Sequence, residues 1–180
     1  SQNLLKQIKV ISLDDRSIKG WWNKCLLFKP GLLSSSCLYL DLDMIIIKNI
    51  DEFIIKNQYL NILCNPLTLN NKIYHKINSS MMFWNAENKE LNKIWFRYSE
   101  NKYFYDNHKA LLHEEKGDQK VILESSIKYR FFPGDKIRYF KFIEEKEIIE
   151  PLDENISIIV CKGKKQKDHK SNFFVKNYWK

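Results

Sequence analysis

Two acids sit in the most apolar stretch of the chain. Residues 37 to 47 read CLYLDLDMIII, and each is apolar or aromatic except Asp41 and Asp43. A continuous apolar run of this kind is the pattern of a strand covered on both faces. Strand side chains alternate, so the spacing predicts Asp41 and Asp43 on one face and Leu42 on the other. Burying an unpaired carboxylate costs several kcal/mol, and a like charge beside it raises the cost. A divalent cation between the acids offsets that cost. So does emergence at a strand end into a ligand-binding crevice. Hard cations such as Mg2+ and Mn2+ suit carboxylate oxygens and carry a substrate diphosphate on their open side. The alternative is a strand end whose acids pair with lysine or cap the next helix.

Other chemistry-bearing residues give weaker signals. Cys25, Cys37, Cys64 and Cys161 have neither C-x-x-C nor zinc-finger spacing. They read as reduced, buried thiols, with Cys37 and Cys64 packing as small hydrophobes in apolar runs. His75, His108, His113 and His169 show no pairing at metal spacing and read as surface or satisfied structure. Trp21 and Trp22 offer rings that stack on a sugar or pack inward, and packing is favoured. Trp84 and Trp95 read as core. The basic stretch from Lys162 to Lys170 is either a loop closing over phosphates or a solvated loop.

The elements that must position these groups are short. Lys9–Leu13 reads as a strand, Gly20–Phe28 as an amphipathic stretch stopped by Pro30, and Asp51–Lys56 as a helical turn or two. Tyr59–Cys64 reads as a strand closed by Asn65-Pro66, and Ile77–Trp84 as another. Ala86–Ser99 is the clearest helix, with Leu91, Ile94, Trp95 and Tyr98 on one face. Asp118–Ser125 predicts a short helix capped by Asp118, with Val121 and Ile122 inward. Pro133-Gly134 marks a turn between strand-like pieces. Ser157–Cys161 reads as a last strand, before the Lys-rich loop and an aromatic tail expected to dock on the domain. Strands mixed with helices predict an α/β class and one domain over residues 1–180.

Composition excludes several classes. The chain has 180 residues, 44% hydrophobic and 29% charged, which rules against wholesale disorder and a fibrous repeat. Its apolar runs are far shorter than a membrane span. Lys plus Arg is 30 against 22 acids, a formal charge of +8. That charge invites a polyanionic partner. Arginine, the usual reader of guanine, occurs only at positions 16, 97, 130 and 138, so nucleic acid is not expected. A cytoplasmic setting without a transmembrane segment is expected, with membrane association as the alternative.

Four segments in order resemble the GT-A nucleotide-sugar glycosyltransferases, and are most similar to the family-eight type of glycogenin and the lipopolysaccharide galactosyltransferases. They are Gly20-Trp21-Trp22-Asn23-Lys24; Leu38-Tyr39-Leu40-Asp41-Leu42-Asp43, running on to Asn49-Ile50-Asp51; Ile77-Asn78-Ser79-Ser80-Met81-Met82-Phe83-Trp84-Asn85; and Gly117-Asp118-Gln119, with Phe132-Pro133-Gly134 beyond. The resemblance covers residues 8 to 165. It implies a GT-A-like mixed sheet flanked by helices, lacking the nucleoside-binding units that family members carry ahead of this region.

The implied activity is metal-assisted transfer of a sugar from a nucleotide-sugar donor to a glycan, lipid-linked or protein acceptor. Asp41 and Asp43 would hold Mn2+ or Mg2+ against the donor diphosphate. Lys24 would lie near the phosphates or close to Asp41, and Asn78 and Ser79 beside the sugar and acceptor. Asp118 and Gln119 would contact the transferred sugar at its reacting face. The family's C-terminal metal ligand is a His before a Gly, and here Lys162 and Gly163 stand in its place, where an ammonium would neutralise the diphosphate directly. Ser80 replaces the usual Gly. Two rival expectations remain: a catalytically inactive GT-A-derived binding or scaffold domain, and a basic nucleic-acid-binding domain.

Overall fold

The computed structural model describes residues 11, 17–18, 20–69, 72–107, 117–141 and 153–162, with backbone alone for 66–69, 72–74, 140–141 and 161–162. The strand expected over Lys9–Leu13 lies outside this set apart from Ile11. So do the Lys-rich loop beyond Lys162, the aromatic tail, and His108, His113 and His169.

The motif Met81-Met82-Phe83-Trp84 explains the layering. These side chains alternate along β4 (Lys72–Asn85), and all four are buried. Met82 and Trp84 pack with Leu60, Ile62, Ile94, Tyr98, Val121 and Ile122 on the helical side. Met81 and Phe83 pack with Met44, Leu63, Ile137, Ile158 and Val160 on the other. A strand buried on both faces needs apolar residues at every position, which is the pattern read from the sequence.

The class is mixed α/β, and the described residues form two sheets. The first has the order β1-β4-β3-β5, from β1 (Ser36–Leu40), β3 (Leu60–Leu69) and β5 (Tyr129–Phe131) around β4. Its β1–β4 and β3–β4 pairs are antiparallel and its β3–β5 pair is parallel. The second has the order β2-β7-β6, from β2 (Met44–Ile46), β6 (Ile137–Lys141) and β7 (Ile158–Lys162). There β2 runs antiparallel to β7, and β6 runs parallel to it.

Three helices and a 3-10 segment cover the first sheet. The 3-10 segment Gly20–Phe28 buries Cys25, Leu26 and Phe28. Helix α1 (Asn92–Glu100) follows a 3-10 turn at Lys89–Leu91, and buries Ile94 and Tyr98 as the spacing predicts. Its neighbours are α2 (Lys102–Asn107), which the sequence reading omits, and α3 (Asp118–Glu124). Trp22 stacks on Tyr98 at 5.6 Å and lies 5.7 Å from Tyr105. Tyr105 accepts from Arg97 and donates to Glu124, tying the three helices together.

Four expectations need correction. Residues 37–47 are not one strand: β1 stops at Leu40, the chain turns through Asp41–Asp43 and β2 begins in the other sheet. The Met44 amide donates to the Asp41 carbonyl at 3.2 Å, closing a tight turn, and Leu42 is 87% exposed rather than packed. Apolar residues flank this turn because each half-strand enters a core on its own side. Second, Asn65-Pro66 does not close β3, which pairs with β4 through Leu69. Beyond residue 62, β3 pairs with β4 alone among the described residues, and an edge tolerates a residue without an N–H.

Third, Asp118 does not cap its helix. The N-cap is Gly117, and no side chain caps the end. Fourth, of the thiols described, only Cys25 is buried, while Cys37 and Cys64 are half-buried.

Candidate functional site

Asp41 occupies the turn that crosses between the two sheets, and its amide donates to the Ser80 carbonyl of β4 at 2.7 Å. The Lys24 Nζ, from the 3-10 segment, lies 2.9 Å from both carboxylate oxygens of Asp41. The same ammonium reaches the Ser79 carbonyl and Oγ, each at 3.4 Å. Tyr39 OH donates to Asp41 Oδ1 at 2.6 Å, and its ring lies 5.4 Å from Lys24 Nζ. Tyr39 precedes Asp41 by two residues, so the strand period that ends at Leu40 delivers both groups to one side.

A strand irregularity places Ser79. Ile62 pairs with Met82 while Leu63 pairs with Asn78, so β4 passes Ser79, Ser80 and Met81 without a partner on β3. Bulges of this kind re-aim side chains and recur beside active sites. Asn78 holds the distortion, accepting from the Ser80 amide at 2.8 Å. Its side-chain oxygen is therefore turned inward, to the strand. Ser79, 1% exposed, instead faces Lys24 and hydrogen bonds to Asp118.

Asp118 is the most unusual group here. It is 3% exposed, and its enclosed Oδ2 has no hydrogen-bond partner among the described residues. Burial pushes its carboxyl up to about 6, against the opposing pull of Lys24 and the Ser79 hydrogen bond, and the Asp41 charge adds to the rise. Asp43 is raised for the same reasons, burial first and the Asp41 charge second. Burial and the hydrogen bond to Asp41 raise the Tyr39 hydroxyl further above its ordinary value, with Asp41, Asp118 and Asp43 contributing charge. Asp41, Asp43 and Asp118 thus share one region with the Lys24 ammonium, which acts on all three. Grouped carboxyls with perturbed values are a recurrent feature of functional sites.

Gly117 shapes the approach to Asp118. Its backbone has φ +59° and ψ −140°, a combination open to glycine and strained for other residues. A Cβ there would meet Trp21 Cγ, Cδ2 and Cδ1 at 3.0, 3.1 and 3.2 Å. The indole therefore lies flat on this glycine.

The structure thus brings together Lys24, Asp41, Ser79 and Asp118, with Asp43 close enough to feel Asp41 and Lys24. Gln119 follows Asp118 on α3 and is half-buried. Lys162 ends β7 in register with Lys141, with only its backbone described, and Gly163 lies outside the described residues. Tyr39 was missed by the sequence reading, although its position two residues before Asp41 in a strand was a usable signal. Trp21, assigned to packing, is 60% exposed.

Among the described residues no group of three or more His, Cys, Asp or Glu is arranged to hold a metal. The donor chemistry at Asp41 and Asp43 still suits a hard cation that keeps water and substrate oxygens in its other positions. Both Asp41 oxygens already face Lys24, so a cation there would share that carboxylate with the ammonium.

No family model, curated protein or solved structure matches this chain. Among the described residues no helix is long and apolar enough to cross a membrane.

Proposed function

We propose that this chain transfers a glycosyl group from a nucleoside-diphosphate sugar to a hydroxyl acceptor. The reading rests on one observation: Lys24, Tyr39, Asp41, Asp43, Ser79 and Asp118, drawn from four separate segments, gather around a single carboxylate-rich centre. Such a centre serves a reaction in which a diphosphate leaves and a sugar carbon becomes electron-poor.

Each group has a defined task. Lys24 supplies fixed positive charge where the diphosphate gathers negative charge, in a half-buried setting that strengthens the interaction. Asp41 holds Lys24 in place, and Tyr39 holds Asp41. Asp41 and Asp43 would hold Mg2+ or Mn2+, which when bound acts as a Lewis acid toward the leaving phosphate oxygens. Asp118, enclosed beside this centre, would act through its charge, stabilising positive character at the sugar ring. Ser79 orients that carboxyl, and Gln119 contributes an amide beside it. The acceptor is a glycan, lipid-linked or protein hydroxyl.

The test is a thermal-shift screen of nucleoside diphosphates and their sugar conjugates, with and without Mn2+, followed by donor turnover. A ligand that binds only the native state raises the melting temperature by mass action. Asp43→Asn is expected to remove the Mn2+-dependent part of the shift and to abolish turnover while the fold persists. If no sugar nucleotide shifts the protein at millimolar concentration, with or without metal, the transferase reading is wrong.

An inactive, binding-only domain is the second reading, favoured by the Lys24 ammonium already seated on Asp41. It predicts sugar-nucleotide binding without turnover.

A further inference from the structure

We propose that a recess at the start of β1 binds a small monocarboxylate, at a site separate from the Asp118 centre. The recess has a volume of about 300 Å³ and is lined by Ser36, Lys56, Asn57, Phe83 and Asn85. The strand period explains why these residues meet. Phe83 and Asn85 are two apart on β4, and Ser36 is the register partner of Asn85, so the three share one face of the sheet. Leu38, Leu40 and Met81 lie on that same face, packed toward the second sheet. Lys56 and Asn57 follow the 3-10 turn Asp51–Phe53, whose Phe53 is anchored in the same core. Tyr39 packs on the opposite, helical side. Asp41 lies beyond the other end of β1, roughly 16 Å from Ser36 at strand rise.

The open polar groups of the recess are mostly donors. Asn85 Oδ1 accepts from the Glu87 amide at 3.0 Å. Asn57 Oδ1 accepts from the Tyr59 amide at 2.8 Å and from Asn61 Nδ2 at 3.2 Å. A main-chain N–H only donates, so these bonds fix which end of each amide is the oxygen. Among the described residues both N–H bonds of Asn85 are left unused, as is one of Asn57, whose other goes to Asn61 Oδ1 at 3.0 Å. The Lys56 ammonium pairs with no acid among the described residues, and none of the lining residues is acidic. Against these donors stand the Ser36 hydroxyl and one lone pair of Asn85.

Such a set selects an anion that brings few donors of its own. A carboxylate accepts several N–H bonds and matches the single ammonium in charge. A phosphate dianion would leave one charge uncompensated. An amino acid or a sugar would bring N–H or O–H donors that meet few acceptors. At about 30 Å³ per water, the recess holds the equivalent of about ten waters, more than a carboxylate group fills. The remaining wall is Phe83, 4% exposed, and the Lys56 stem, which suit a compact apolar body.

The experiment uses the full chain labelled with nitrogen-15, with the Asn85 side-chain amide signal assigned by its loss in Asn85→Ala. Benzoate and isovalerate are titrated beside their neutral counterparts benzamide and isovaleramide, and beside inorganic phosphate, at constant pH and ionic strength. Both acids are expected to shift the Asn85 signal saturably at about millimolar concentration, and the amides to need at least ~10-fold more. Lys56→Met is expected to weaken both acids on the order of ~10-fold, with Lys56→Arg retaining most of the affinity.

The site is refuted if neither acid shifts the signal at tens of millimolar, or if the amides match the acids. Acids that bind Lys56→Met as well as wild type, or phosphate that binds more tightly than either acid, also overturn it. Lys56 and Asn85 are exposed, so their variants should fold, and the wild-type comparison of acid with amide stands even if Lys56→Met does not. The proposal does not rest on the transferase reading. No sugar nucleotide enters the test, and failure of either leaves the other intact.

Discussion

Replacing Asp118 with asparagine should stabilise the protein at neutral pH and do nothing at low pH. The carboxyl is 3% exposed, has no partner on Oδ2 among the described residues, and is raised from an ordinary 3.8 to about 6. An acid whose folded value is raised binds protons more readily in the folded state than in the unfolded one. Stability from this group is therefore full below the unfolded value, falls as pH rises between the two values, and stays low above the folded one. The gap corresponds to about 3 kcal/mol at ~1.36 kcal/mol per tenfold step. Asparagine keeps the shape and can still accept from Ser79, but it has no charge to bury. Lost hydrogen-bond strength offsets part of the gain, so Asp118→Asn is expected to be more stable by about 1–3 kcal/mol near pH 7.5 and equal to wild type near pH 4.

Urea denaturation of both proteins at the two pH values, without added divalent metal, measures the difference directly. Contributions from Asp43 are common to both proteins and cancel. The same variant should lose turnover, as expected where a functional group is held at a cost in stability. A wild type that is the more stable at neutral pH, or a difference that does not change with pH, would refute the account of Asp118 as a desolvated, under-partnered acid.

Three further outcomes follow from the same geometry. Lys24→Met removes the ammonium that lowers both Asp118 and Asp43, so both carboxyls should titrate still higher by carbon-detected NMR, and the fold should lose about 1–3 kcal/mol for the half-buried partner left at Asp41. Gly117→Ala should cost about 1–3 kcal/mol from the left-handed backbone and displace the indole; adding Trp21→Ala should relieve only the steric share, which denaturation of the single and double variants resolves. Timed alkylation with peptide mapping should modify Cys64 faster than Cys37, and Cys25 last. Cys64 Sγ sits 3.1 Å from His75 Nδ1, whereas burial raises both other thiols, Cys25 more strongly.

Much of the molecule was legible before its structure. Of the face read as Leu91, Ile94, Trp95 and Tyr98, Leu91 is buried in the 3-10 turn before α1 and Ile94 and Tyr98 are buried on it, as the helical spacing indicates, while Trp95, read as core, is only half-buried. The inward pair Val121 and Ile122 and the turn at Pro133-Gly134 were readable for similarly local reasons. The two acids at 41 and 43 stood out because carboxylates are costly in so apolar a setting, and that cost is independent of topology.

The remainder was decided by partners distant in sequence. Whether residues 37–47 form one strand or two depends on β4 and β7 claiming the halves for different sheets, and an apolar run reads the same in either case. The inward turn of Asn78 and the aim of Ser79 come from a register slip against β3, invisible without the pairing partner. Asp118 was taken for a helix cap because local sequence cannot report that its carboxyl is enclosed by segments lying far away in the chain. The sequence by itself determined which chemical groups were present and which short elements would carry them. Only the tertiary structure decided which groups meet, since burial, bulges and long-range charge arise from contacts between separate segments.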